Sequence, residues 1–209
     1  MKKLFYLALF VLFLYLPVFA ETFIYGQADF VPDGDTVILK SGKSVRYIGI
    51  DTPETDHEKH NHQFYALNAK ELNRKMIENK RLKIVFGKNK KDRYGRYLGY
   101  VYLPNGKMMN ELMLENGMGW FYYHRDNKKF KKRFLTIQQK AMDQSKGIWS
   151  YIAGKSKMVI LNKSSFRFHD PECRNMTAKS KKFSYVSEAF YKGYSPAGRC
   201  IRNIFKYGE

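Results

Sequence analysis

Three carboxylates and two arginines stand out by type and spacing: Asp35, Asp51 and Glu54, with Arg46 and Arg96. Asp35 opens one β-branched run, and Asp51 and Glu54 follow the end of another. In an antiparallel meander the start of one strand lies beside the end of its neighbour, so these groups can converge. Carboxylates together with a backbone carbonyl and waters form a hard-cation site suited to Ca²⁺. Arg46 interrupts the apolar stretch Val45 to Ile50. Pointed into a barrel mouth, it requires an anionic partner, because an unpaired buried charge is prohibitive. Arg96 closes the segment Asp92-Arg93-Tyr94-Gly95-Arg96 and opens a strand. Two guanidiniums facing a cation make a phosphate clamp, since the planar fork matches phosphate oxygens as lysine does not. Each residue also has a plain alternative. Asp33-Gly34-Asp35 is ordinary turn composition, and an arginine in so basic a chain is commonly solvated.

The elements that must position these groups follow from hydrophobic period. Thr22 to Val31, Thr36 to Lys40 and Val45 to Ile50 read as strands of a meander, split by Pro32-Asp33-Gly34 and by Ser41-Gly42-Lys43. Asp51 to Asn61 is polar and reads as a loop; its His57, His60 and His62 fit a solvated segment better than a metal cluster. Tyr65, Ala69, Leu72 and Met76 mark one face of a helix. Leu82 to Gly87 and Arg96 to Leu103 are strand-like, separated by a basic loop over Lys88 to Gly95. Met109, Leu112 and Met113 predict a short helix ending at Gly117, and Phe130, Phe134, Ile137 and Ala141 a longer one ending before Gly147. Three strands, a helix, two strands and then helices predict an α+β, mainly β domain. Its expected form is an OB-fold, five-stranded barrel with packed helices.

Composition bounds the rest. The 209 residues carry 38 Lys+Arg against 19 Asp+Glu, a net charge of +19, which implies a polyanionic partner. An apolar fraction of 44% supports a packed core, and two cysteines exclude a disulfide-rich mini-fold. Met1-Lys2-Lys3, the apolar run Leu4 to Phe19 and the small residues Val18 and Ala20 read as a signal peptide over residues 1–20. The expected location is therefore exported: secreted, periplasmic or cell-surface. Membrane contact follows only if residues 1–20 are retained. The expected division is a barrel domain at 21–150 and a basic C-terminal module at 151–209. In that module Met158 to Leu161 and Phe166 to His169 suggest strands, and Ser187 to Lys192 a helix capped by Ser187.

Asp33-Gly34-Asp35-Thr36, Arg46, Asp51-Thr52-Pro53-Glu54 and Asp92-Arg93-Tyr94-Gly95-Arg96 together resemble the staphylococcal (micrococcal) nuclease, or thermonuclease, family. The similarity continues through Asn110-Glu111 and Gly117 to Gly147-Ile148-Trp149, covering residues 23–150. The resemblance implies an OB-type five-stranded barrel with three helices and Ca²⁺-dependent hydrolysis of DNA and RNA. It implies Asp35, Asp51 and the Thr52 carbonyl as Ca²⁺ ligands and Glu54 as the general base. Arg46 and Arg96 would hold the scissile phosphate, and Tyr94 would contact a nucleotide. Tyr122 is nominated to stack a base, a sequence-tolerant contact. A monomer without an obligate protein partner is expected. With the nuclease core ending near Trp149, a chain cut there is expected to fold.

The tail resembles a small module appended to such nucleases, with His169 four residues before Cys173 and a closing Cys200. That module's fourth zinc ligand is replaced here by Ala197, so in an oxidising compartment a Cys173–Cys200 disulfide is the simpler reading than a site using His169. Two other functions fit parts of the chain. One is a non-catalytic OB-fold that binds single-stranded nucleic acid. The other is a surface protein whose basic tail holds an acidic envelope polymer. Arg46, Glu54 and Arg96 together favour catalysis, because binding alone has no need of Glu54.

Overall fold

The structure, a computed structural model, describes residues 21–55, 62–173, 182–198 and 204–205. The signal-peptide segment 1–20, His57, His60 and Cys200 lie outside the described residues. Five strands, β1 (Phe23–Asp33), β2 (Thr36–Leu39), β3 (Ser44–Tyr47), β5 (Arg81–Lys91) and β6 (Tyr97–Tyr102), close a barrel in the order β1-β2-β3-β6-β5. Val37, Val45, Leu82, Ile84 and Val101 fill its interior and are fully buried. In the β2–β3 register Thr36 faces Arg46, which sets Asp35 beside that arginine.

Two strand boundaries differ from expectation. The run Val45 to Ile50 breaks at Gly49, whose φ of 79° lies in the left-handed region. Beyond it β4 (Ile50–Asp51) leaves the barrel and pairs with β7 (Trp120–Phe121), so Asp51 faces Trp120. The basic loop is also shorter than expected. β5 runs on to Lys91, which pairs with Tyr97 after a register shift. Backbone pairing there continues although the side chains have become polar, as at a bulge.

Helix α1 (Ala66–Ile77) lies against the β1–β2 turn. Its buried Asn73 donates to the carbonyls of Asp33 (3.1 Å) and Thr36 (3.3 Å) and accepts from the Tyr47 hydroxyl (2.8 Å). One amide thus fixes the turn that carries Asp35. In α2 (Met109–Glu115) the buried Asn110 donates to the Ile48 carbonyl (2.8 Å) and accepts from Val101 N–H (3.0 Å), pinning helix to barrel. α3 (Lys131–Asp143) matches the predicted face: Phe134 and Ala141 are buried on it.

Helix α4 (Ile148–Ala153) runs across the boundary expected at residue 150. The tail then forms a sheet in the order β10-β8-β9-β11, from β8 (Met158–Asn162), β9 (Arg167–His169), β10 (Lys182–Tyr185) and β11 (Ser195–Pro196). Helix α5 (Val186–Tyr191) is not capped by Ser187, which lies inside it. β10 passes directly into the helix, and the Ser184 hydroxyl instead donates to Glu188 (2.7 Å). Trp120, Ala141, Ile148, Trp149 and Ile152 share one buried cluster with Val159, Leu161, Phe168 and Phe190 of the tail. Gln138 in α3 accepts from Phe121 N–H and donates to the Phe190 carbonyl, each at 2.6 Å. The expectation that a chain cut after Trp149 would fold is therefore revised: side chains from both sides of the cut build one core. Cys173 is disulfide-bonded, with Sγ 3.8 Å from His169 Nδ1. A cystine sulfur offers no thiolate to zinc.

Candidate active site

Asp35 ends the β1–β2 turn, immediately before β2, with only 1% of its surface exposed. Its carboxylate accepts from the Thr36 hydroxyl (3.2 Å) and from Thr52 N–H (3.0 Å), and it forms an ion pair with Arg46 Nη1. Arg46 Nη2 pairs with Asp51 Oδ1. The carboxylates from the β2 start and from β4 therefore converge, on a single guanidinium. Two of the five N–H donors of Arg46 are engaged in these pairs. The carboxylate oxygens drawn to one cationic group, beside the Thr52 backbone, offer the hard donors that a divalent cation takes with waters. Among the described residues no group of three or more His, Cys, Asp and Glu side chains forms a ready cage. The donor set thus fits a cation that keeps part of its water shell.

Glu54 follows Pro53 on the irregular segment after β4, with its N–H donated to Gln63 Oε1 (2.8 Å). Glu54 is exposed to solvent, directly after the buried Thr52 and Pro53, so water screens the influences that act on its carboxyl. Loss of hydration, then the charge of Asp51, pushes it up to about 7, while Arg46 and Arg96 work in the opposite direction. A carboxylate tuned near neutrality suits general-base work. Burial also raises Asp51, against the pull of Arg46.

Arg96 is set by Asp92. Asp92 accepts from Arg96 Nε (2.8 Å), Arg96 N–H (3.0 Å) and Tyr94 N–H (2.9 Å). Partial burial works against the charge of Asp92, but the bonds from Arg96 and Tyr94 outweigh it and hold its carboxyl below the usual range. Among the described residues both terminal nitrogens of Arg96 are left free of protein partners. Tyr94 is 68% exposed, its ring 5.5 Å from the Arg96 guanidinium carbon. Tyr122 lies on the same cleft, with Arg167 stacked 3.7 Å over its ring.

The cleft holds about 690 Å³ and is lined by Arg46, Asp51, Tyr94, Arg96 and Tyr122 among others. Asp35, Thr52 and Glu54 are not on its wall. Asp35 joins the site through Arg46, and Glu54 through the fields of Asp51, Arg46 and Arg96. Sequence reasoning missed four contributors. Asp33, read as turn composition, accepts the Asp35 N–H (3.1 Å). Gln63 orients Glu54, and Arg167 comes from the tail with no local motif to mark it. Gly119 is the fourth: a Cβ there would stand 2.5 Å from the Asp51 carbonyl and 2.8 Å from Thr52 Cγ2. Gly119→Ala should therefore push β7 off β4 and displace Asp51. The expected cost is about 1–3 kcal/mol of stability, by the usual penalty for overpacking. A larger loss of activity than of stability is expected, read by thermal melting beside a cleavage assay. Wild-type activity would show that the close approach does not set Asp51.

A closed OB barrel with paired carboxylates, a candidate base and two arginines beside one cleft defines a hydrolase of phosphodiesters. Residues 44–151 match the family described as Staphylococcal nuclease homologue. The chain is 37% identical over 123 residues to the thermonuclease of Staphylococcus hyicus, covering 57% of this chain and 72% of that protein. It is 35% identical over 123 residues to endonuclease YncB of Bacillus subtilis, covering 56% and 58% respectively. It is also 32% identical to the uncharacterized protein MJ1439 of Methanocaldococcus jannaschii, covering 61% and 72%. The chain belongs to the staphylococcal nuclease family and is a nuclease.

Proposed function

We propose that the chain is an exported, Ca²⁺-dependent endonuclease that hydrolyses both DNA and RNA with little sequence preference. The meeting of Asp35 and Asp51 at Arg46, with Arg96 and Glu54 close by, carries this reading. Asp35, Asp51 and the Thr52 carbonyl would hold the cation. Bound there, Ca²⁺ would offset phosphate charge and associate with a water. The protein's own groups do the rest. Arg46 and Arg96 orient the phosphate and meet the charge that grows on its oxygens in the transition state. Glu54 accepts the proton of the attacking water as its oxygen bonds to phosphorus; the P–O bond to the departing sugar oxygen breaks, and that oxygen takes a proton from solvent. A stacking tyrosine and phosphate contacts read no base edges, which supports low sequence preference. The charged, apolar and small-residue order of residues 1–20 supports export.

Digestion of plasmid and of RNA, with Ca²⁺ and with a chelator, tests the reading. Cleavage of both is expected in the millimolar range of Ca²⁺, since extracellular Ca²⁺ sites work at about 10⁻⁴–10⁻³ M. Near-complete loss is expected with the chelator. Full activity in chelator would end the Ca²⁺ assignment, and intact RNA would end the dual specificity.

A further inference from the structure

We propose that Arg167, carried by the C-terminal sheet, is a substrate-binding residue of the active cleft that holds a phosphate next to the one being cut. The ligand's identity rests on the nuclease reading. The residue itself lies outside the matched segment 44–151.

Arg167 lies in β9 and is half-buried. Its Nη1 donates to the carbonyls of Phe166 (3.1 Å) and Ser165 (3.4 Å), and its Nη2 donates to the Tyr123 carbonyl (3.0 Å). The guanidinium carbon stands 3.7 Å from the Tyr122 ring centre. Carbonyls and a ring fix the fork in place without neutralising it. Nε and the second Nη2 proton are unused among the described residues, and together they form an edge able to bind two oxygens of one phosphate. That fork is already ordered, so little side-chain freedom is lost when a phosphate binds.

Position supplies the second argument. Arg167 lines the cleft with Arg46 and Arg96, and Pro196, Ala197 and Gly198 add further tail wall. Two of the three guanidiniums beside the cleft are held in ion pairs with carboxylates, which leaves the third, among the described residues, as the one without a bonded acid. Arg46 is occupied by Asp35 and Asp51, and Arg96 is tied through Nε to Asp92. Among the described residues Arg167 makes no hydrogen bond to a carboxylate; its charge reaches Asp51 only through space, adding to the pull of Arg46. A strand with successive phosphates matches this spread of charge; a ligand with one phosphate needs only the first two arginines.

The test is equilibrium binding of a fluorescent single-stranded deoxyoligonucleotide to the full chain, in chelator, across a salt series. Arg167→Met keeps the stem over Tyr122 and removes the charge, whereas Arg167→Lys keeps the charge. The slope of log K against log salt should flatten by about 0.7 in Arg167→Met, one phosphate contact on a single strand. Affinity should fall roughly tenfold at low salt, as for loss of a charged hydrogen bond. Arg167→Lys should keep the wild-type slope. Binding of a dinucleotide with one internucleotide phosphate should be unchanged in both variants. An unchanged slope in Arg167→Met would overturn the proposal. So would equal weakening toward the dinucleotide, or a Lys variant as flat as the Met one, since both point to a structural role beside Tyr122. A chain that binds the strand but cuts nothing with Ca²⁺ would overturn the Ca²⁺ reading alone and leave the Arg167 result standing.

Discussion

Glu54→Gln should lower kcat by at least 10²-fold, within the roughly 10²–10⁴-fold range of a placed general base, with little change in affinity for the strand. Gln keeps the side chain's shape and its contact with solvent, but it cannot accept the proton of the attacking water. The substitution removes a negative charge near Asp51, so any shift in binding should favour the polyanion slightly. Arg96→Lys is the matching change on the other side of the phosphate. It keeps the charge and loses the planar fork, together with the Nε bond to Asp92 that sets its direction. A comparable loss of kcat is expected. Both variants should melt as the wild type does, because Glu54 and Arg96 lie outside the two buried clusters. Wild-type turnover in either variant would show that the base or the clamp has been misassigned. Unchanged strand binding without turnover would separate a nuclease from a domain that only holds nucleic acid.

The site was largely legible in the sequence because its parts sit at strand ends. Asp35 immediately precedes β2 and Asp51 closes the run after β3, so an antiparallel meander alone predicts that they approach. The Arg46 position inside an apolar run marked it as a charge in need of partners, and the structure supplies Asp35 and Asp51. What stayed illegible depends on short or distant contacts. β4 and β7 have two residues each, too few to show a period, yet their pairing decides where Asp51 lies. The Asp92 clamp on Arg96 rests on side-chain bonds that a motif does not display. Arg167 reaches the cleft through a tail sheet whose register no local pattern links to Tyr122. The contacts across residue 150 were hidden for a related reason. The composition changes there, but helix α4 and its apolar side chains continue through it.

Removal of residues 150–209 should cost the chain its cooperative fold, a larger effect than a weakened grip on substrate. The barrel core itself is closed without the tail: Val37, Val45, Ile84 and Val101 are buried by barrel neighbours. The second core is not. Phe190 is 0% exposed and packs its ring against Trp149 (5.2 Å), Trp120 (5.8 Å) and Phe168 (5.0 Å). Phe205 stacks on Trp120 at 4.8 Å. Truncation would bare two tryptophans together with Ile148, remove Ile152, and leave the Gln138 amide without the Phe190 carbonyl. Phe190→Ala alone should lower stability by about 3–5 kcal/mol, the usual cost of emptying a core phenylalanine site. That is a large part of the roughly 5–15 kcal/mol that holds a whole domain. The damage also reaches the chemistry, since Trp120 belongs to β7 and faces Asp51 in the register. Phe190→Ala should therefore show a lower melting temperature and a partial loss of activity. The truncated chain should show a broad, non-cooperative transition by circular dichroism. A sharp melt with native ellipticity in the truncated chain would mean that α3 and α4 close the second core without the tail, and residues 150–209 would then act on substrate alone.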